Sequence, residues 1–287
     1  MFSSFLILIK FDILKHALIT FFVGYFLASY PIQFDVLYLG VLLLGFSSIS
    51  GSAAILNHIL EYRYDALMPR TWMRPIVQGK VSIKVACVLV CCLAIFGSCV
   101  LVSVSAYYTL LWSWVMFVFY NGVYTPLKRV TWLNTYVGSF PGALPPVCGW
   151  MAVGELSMGI FVLFSIFFVW QIPHFFALSW KYRKEYQQAG FKMLSVKDST
   201  GKRSGVQMVL WTFILLVLVV YLKFVMVLTW IYGVGVVGVS IYFFYRSVRF
   251  LCQPIELNAR LVFIASIIYQ PIIVFLILLD RIRVNNL

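Results

Sequence analysis

The stretch Asn57–Gly79 reads NHILEYRYDALMPRTWMRPIVQG, and the rest of the chain is best understood from it. Asn57, Glu61 and Asp65 stand at a strict four-residue spacing. On an α-helix each four-residue step advances about 6 Å and rotates only about 40°, so all three side chains line one face. Pro69 then disfavours further helix, and Arg70, Arg74 and Lys80 follow in the loop. Two carboxylates and an amide stacked in this way are oxygen ligands suited to a hard cation such as Mg²⁺. Such an ion completes its shell with water and substrate phosphates. The arginines beyond supply forked donors that fit phosphate oxygens. Read blandly, these are juxtamembrane charges, acids near a helix end and bases placed by topology. Acids at a membrane boundary are costly and usually functional, however, so the whole pattern reads as a diphosphate–magnesium site at the mouth of a membrane helix.

Composition supports the membrane setting. Of the 287 residues 63% are hydrophobic and only 11% charged, far too apolar for a soluble domain. The net charge of +13 would suit nucleic acid only on a solvated basic face, and here the bases sit in short loops between apolar spans, so no nucleic-acid partner is expected. Spans of about 20 apolar residues mark membrane helices. They fall near 13–30, 37–59, 85–105, 107–126, 132–153, 157–180, 206–222, 224–245 and 261–279. The fold class expected is therefore an all-α polytopic membrane protein of nine transmembrane helices, a single domain over 1–287 in the lipid bilayer. With the N-terminus inside, 19 of the 22 Lys and Arg lie in cytoplasmic segments, and only Lys223, Arg281 and Arg283 lie outside. That orientation puts Asn57–Asp65 on the cytoplasmic side. The six cysteines, Cys87, Cys91, Cys92, Cys99, Cys148 and Cys252, form no C-x-x-C pair and read as reduced, packed residues. No cleavable signal peptide is visible, which leaves the first helix as an anchor.

The motif N-x-x-x-E-x-x-x-D followed by MPRT and RP resembles the first acidic motif of the intramembrane UbiA-type prenyltransferases. Its central Glu and the D-x-x-M-x-R-T that follows are similar to the protoheme IX farnesyltransferases within that superfamily. Two longer runs carry the same resemblance, Y-T-x-L-K-R-x-T-x-x-N…G-A-x-P-P-x-x-G-W from Tyr124 to Trp150 and W-Q-x-P-H-F from Trp170 to Phe175. The resemblance covers most of the chain. It implies a UbiA-type bundle and transfer of a farnesyl group from farnesyl diphosphate to the vinyl group of haem b, with water adding to give haem O. It implies Mg²⁺ as cofactor, held by Asn57, Glu61 and Asp65, and partner proteins of the haem pathway or of oxidase assembly. A compact 287 residues without a transit-like presequence favours a bacterial cytoplasmic membrane over a mitochondrion.

The remaining candidate residues fall in three places. Arg70 and Arg74, with Tyr124, Lys128 and Arg129 at the boundary after the fourth span, would bind the diphosphate as negative charge develops on it. In the loop SWKYRKEYQQAGFKMLSVKDSTGKRS, Arg183 and Glu185 are the expected substrate contacts, and a solvated basic loop serving topology accounts for part of the rest. Glu185 stands where other members of the superfamily carry a double-aspartate motif. His174 follows Pro173 in an apolar span; membrane histidines usually face the interior, and the resemblance puts it beside the porphyrin, as iron ligand or proton acceptor. His58 lies on another face than Asn57, and His16 gives no signal. Two other functions compete. A quinone precursor such as 4-hydroxybenzoate is the nearer acceptor, but the missing double aspartate argues against it. A transporter or non-enzymatic haem carrier would need charges at midplane or paired broken helices, whereas these acids cluster at one interface.

Overall fold

In hydrocarbon every backbone N–H and C=O must be satisfied within the segment, so long apolar stretches become helices. The computed structural model describes residues 2–284 and contains no strand among them. A short α1 (Phe2–Leu8) precedes α2 (Phe11–Ser29), α3 (Val36–Asp65) and α4 (Ile83–Ser103). Next come α5 (Tyr107–Val118), a π-helical turn over Phe119–Tyr124, and the short α6 (Thr125–Leu127), α7 (Asn134–Gly142) and α8 (Pro145–Trp150). The chain continues through α9 (Met158–Lys181), α10 (Arg183–Gln188) and α11 (Leu194–Lys197) to the long helices α12 (Lys202–Val225), α13 (Trp230–Cys252) and α14 (Glu256–Val284).

Seven of these helices are long and apolar enough to cross a membrane: α2, α3, α4, α9, α12, α13 and α14. The all-α class is as expected, but the count of nine uninterrupted spans is not. The span expected at 107–126 is helical but passes into the π turn before α6. That expected at 132–153 is broken into α7 and α8, where Pro145 and Pro146 begin a new helix rather than continue the old one. The turn between the third and fourth spans falls at the expected place, with α4 ending at Ser103 and α5 starting at Tyr107.

The chain forms two compact units. The first comprises residues up to Glu155 together with Glu185–Phe191, and the second Leu156–Lys184 together with Lys192 onward. In the first, Asp35 caps α3: its Oδ1 accepts from the backbone N–H of Leu37 at 2.8 Å and of Tyr38 at 3.0 Å. Helices α2 and α8 approach until their backbones touch, because Gly24 and Gly149 carry no side chain. A Cβ on Gly24 would fall 1.8 Å from the Pro146 carbonyl oxygen, and one on Gly149 2.0 Å from that of Phe21. In the second unit α9, α12, α13 and α14 pack in a ring, each against the next and α14 back onto α9. Buried Asp198 caps α12, accepting from Gly201 N at 3.0 Å and Ser204 N at 2.8 Å. Asp280 of α14 caps α13 from outside, accepting from the backbone N–H of Thr229 at 2.8 Å and from its hydroxyl.

The cysteines correct one expectation. All six are free, as expected, but only Cys148 is buried; Cys87, Cys91, Cys92, Cys99 and Cys252 are exposed. An outward-facing thiol on a helix such as α4 meets hydrocarbon rather than water, so apolar surroundings do not require packing.

Candidate active site

The C-terminal turns of α3 present the acidic face as the spacing requires. Asn57, Glu61 and Asp65 are all buried, at 0, 5 and 1% exposure. The helix ends at Asp65, and the hydroxyl of Thr71 donates to the Asp65 carbonyl at 2.9 Å, folding the following loop back under the helix. That fold brings Arg74 onto Asp65, where its guanidinium donates to Oδ2. Lys128, just beyond α6, donates to Glu61 Oε1 at 2.8 Å. Thus two of the bases expected near the acidic face do meet it, one on each carboxylate.

Asn57 is held from both ends. Its Nδ2 donates to Thr125 Oγ1 at 2.9 Å, and that hydroxyl donates to the Tyr120 carbonyl at 2.8 Å. Its Oδ1 accepts from Lys10 Nζ at 2.5 Å, and the same ammonium donates to the Tyr120 hydroxyl at 2.9 Å. Lys10, Tyr120 and Thr125 are absent from the sequence-based site. Lys10 lies 47 residues before Asn57, and no spacing rule connects a base after α1 to a helix face after α2. Burial, followed by the nearby Arg74 charge, pulls the Lys10 amine down to about 7. Burial opposes the charge on Lys128 too, but Glu61 and the two tyrosines outweigh it and hold that amine above the ordinary lysine value.

Tyr124 joins the cluster through its ring, whose centroid lies 4.4 Å from Lys128 Nζ. The ring's position depends on Gly138, where a Cβ would fall 2.4 Å from Tyr124 Cε2. The other candidates sit elsewhere. Arg129 donates to the Tyr64 hydroxyl at 2.9 Å and lies over that ring, rather than pairing with either acid of α3. Arg70 turns to the Glu185 corner: its backbone N–H reaches Glu185 Oε2 at 3.4 Å and its guanidinium donates to the Tyr186 hydroxyl at 3.2 Å. In the second unit, Arg183 lies 4.6 Å over the Trp180 ring and donates to the Trp180 carbonyl at 3.1 Å.

His174, also in the second unit, is held by a serine and two aromatic rings. Its Nδ1 is 2.8 Å from Ser266 Oγ, and that hydroxyl donates its single hydrogen to the Phe263 carbonyl at 2.6 Å. The rings of Trp170 and Phe263 flank the imidazole, with centroids 5.5 and 4.8 Å away.

The donor set on α3 fits Mg²⁺. Among the described residues no three His, Cys, Asp or Glu side chains gather at one point. Two carboxylates and one amide oxygen are the ligand count of an ion that keeps water and takes phosphate oxygens, not of one caged by protein alone. Each carboxylate also has a second oxygen besides the one its base engages.

The chain is similar to known proteins over most of its length. The UbiA prenyltransferase family matches residues 17–267. The protoheme IX farnesyltransferase of Salinibacter ruber is 37% identical over 281 residues, covering 96% of this chain and 98% of its own. The structure of a digeranylgeranylglyceryl phosphate synthase superposes with a TM-score of 0.82 at 17% identity, covering 98% of this chain and 99% of its own. That of a UbiA homolog from Archaeoglobus fulgidus, bound to GPP and Mg²⁺, gives 0.65 at 13% identity, covering 96% and 99%.

Proposed function

Since this chain belongs to the UbiA prenyltransferase family, and within it to the protoheme IX farnesyltransferases, we propose that it transfers the farnesyl group of farnesyl diphosphate to a vinyl group of haem b. The observation that carries the proposal is the buried cluster of Asn57, Glu61 and Asp65 with Arg74 and Lys128 at the end of a membrane helix. Buried charge in an apolar bundle is retained for function, and this set has the composition of a diphosphate site. Three bases, Lys10, Arg74 and Lys128, gather around two carboxylates, so a proton on Lys10 leaves one positive charge over for an anionic ligand.

In this reading Asn57, Glu61 and Asp65 hold Mg²⁺. When bound, the ion acts as a Lewis acid on the diphosphate oxygens. Arg74 and Lys128 supply donors to the departing diphosphate as its C–O bond breaks, and Arg70 and Arg129 add positive potential around them. The farnesyl carbon left behind is an allylic cation, and the surrounding aromatic rings and apolar walls keep water from it. The terminal vinyl carbon supplies its π electrons to form the new C–C bond. Water then adds to the adjacent carbon and loses a proton, giving the hydroxyalkyl side chain of haem O and free diphosphate. His174 is the proposed contact for the porphyrin, and Tyr124, Arg183 and Glu185 are proposed substrate contacts.

The protein is an integral membrane protein. We place it in a bacterial cytoplasmic membrane, and the distribution of bases supports an orientation with the N-terminus and the acidic face inside. The two units act as one prenyltransferase domain, since the family match runs through both. The test is product mass analysis after incubating purified protein with haem b and 4-hydroxybenzoate, farnesyl diphosphate and Mg²⁺. Haem O is the expected product. Prenylation of 4-hydroxybenzoate in its place would assign the quinone precursor, and consumption of neither acceptor would sink the reading.

A further inference from the structure

We propose that Lys10, carried on the joint between α1 and α2, is a diphosphate-binding residue of the Asn57–Glu61–Asp65 face. This rests on the assignment of that face to a diphosphate. The first observation is charge. Lys10 is half-buried, with Nζ set against Asn57 Oδ1 and the Tyr120 hydroxyl, both neutral partners. Among the described residues no carboxylate lies within ion-pair distance of it, whereas Arg74 and Lys128 each have one. Positive charge here has no anion in contact, and the Tyr120 ring 5.5 Å from Nζ and the more distant Glu61 and Asp65 offset its cost only in part.

The second observation is donor count. An ammonium carries three N–H donors, and two are used here, one on Asn57 and one on Tyr120. An anionic oxygen would satisfy both the third donor and the charge. The third observation is backbone geometry. Lys10 has φ 50° and ψ 53°, a left-handed conformation that a residue with a side chain adopts reluctantly. Strain of this kind persists where the surroundings enforce it, often at ligand sites. Here it turns the chain between two helices so that the Lys10 stem runs inward to Asn57. Lys15, one turn further on, is the contrast: it pairs with Asp12 at 2.8 Å and its side chain is 52% exposed.

The test is calorimetric titration of inorganic pyrophosphate into the detergent-solubilised full chain with metal chelated, and of Mn²⁺ in the absence of pyrophosphate. Lys10→Met removes charge and donors at similar length. Lys10→Gln keeps a donor for Asn57 and is read should the methionine variant fail to fold, with thermal melting as the check. Lys15→Met serves as the control cation. Both Lys10 variants are expected to bind pyrophosphate about 10- to 150-fold more weakly, the range for one charge-assisted hydrogen bond. Mn²⁺ affinity should hold or rise, because Asn57 Oδ1 is relieved of a positive neighbour. Wild-type pyrophosphate affinity in a folded Lys10 variant overturns the inference. So does an equal loss of Mn²⁺ and pyrophosphate, which would make Lys10 a support for Asn57 and no more. A wild-type chain that binds pyrophosphate neither with nor without Mg²⁺ would bring down the diphosphate assignment itself.

Discussion

Replacing Lys128 by methionine keeps most of the side-chain volume, removes the charge, and so isolates what Glu61 loses. The two side chains are 12 and 7% exposed and 2.8 Å apart, so water screens them little. Removing one member of such a pair costs about 3–5 kcal/mol, because the other charge stays buried and unmatched; replacing both by uncharged groups is often close to neutral. Lys128→Met is therefore expected to lose about 3–5 kcal/mol, and Glu61→Gln with Lys128→Met to regain most of it. Recovery should stop short of wild type by about 0.5–2 kcal/mol, the worth of the lysine's position over the Tyr124 ring, which both variants forfeit. Equilibrium unfolding in mixed micelles, followed by tryptophan fluorescence, gives the four corners of the cycle. Transfer activity measured in parallel should be absent from the single and the double variant alike, since neither offers the diphosphate a cation at this point. A double variant no more stable than Lys128→Met would refute the reasoning, for the ion pair would then contribute nothing that the lysine stem does not.

Asp65→Asn keeps an oxygen for Arg74 but removes a charged metal ligand; the protein should fold and lose nearly all transfer activity, and wild-type turnover with Mg²⁺ present would contradict the metal assignment. Gly138→Ala drives a methyl group into the Tyr124 ring and should cost about 1–3 kcal/mol, with transfer slowed as the ring shifts under Lys128; unchanged stability and rate would show that the ring moves freely. Asp280→Ala strips two bonds from the start of α13 and should lower unfolding stability by about 1–3 kcal/mol while the transfer rate of the folded fraction stays unchanged. A single cysteine at the exposed position 199, in a cysteine-free background, should label only from the cytoplasmic side, and labelling from the periplasm of intact cells would reverse the proposed orientation.

The legible parts of the site were those encoded by local periodicity. Asn57, Glu61 and Asp65 could be put on one face because helix geometry alone fixes their relation, and Arg74 follows closely enough for the loop to return it. Lys128 was visible as a base at a helix boundary, but its choice of Glu61 over Asp65 depends on how α6 meets α3, which no spacing reports. In the sequence Lys10 reads as one more positive-inside residue. Its role depends on a left-handed joint and on two helices packing, both tertiary facts. Arg129 shows the converse: its place in the chain beside Lys128 suggested a common target, yet the two diverge, one to Tyr64 and the other to Glu61. Hydropathy located the apolar segments well but could not separate a continuous helix from the broken α7 and α8.

The pairing on α3 also sets an order of events during synthesis. Asp65 finds its base nine residues later, whereas Glu61 waits for one 67 residues downstream. At about 5–20 residues per second, Arg74 follows Asp65 within roughly 2 s, while Lys128 emerges roughly 3–13 s after Glu61. For that interval the nascent α3 carries an unmatched acid among apolar residues, and α4 and α5 must be made before it is answered. A chain released early, anywhere short of residue 128, leaves that acid orphaned for good.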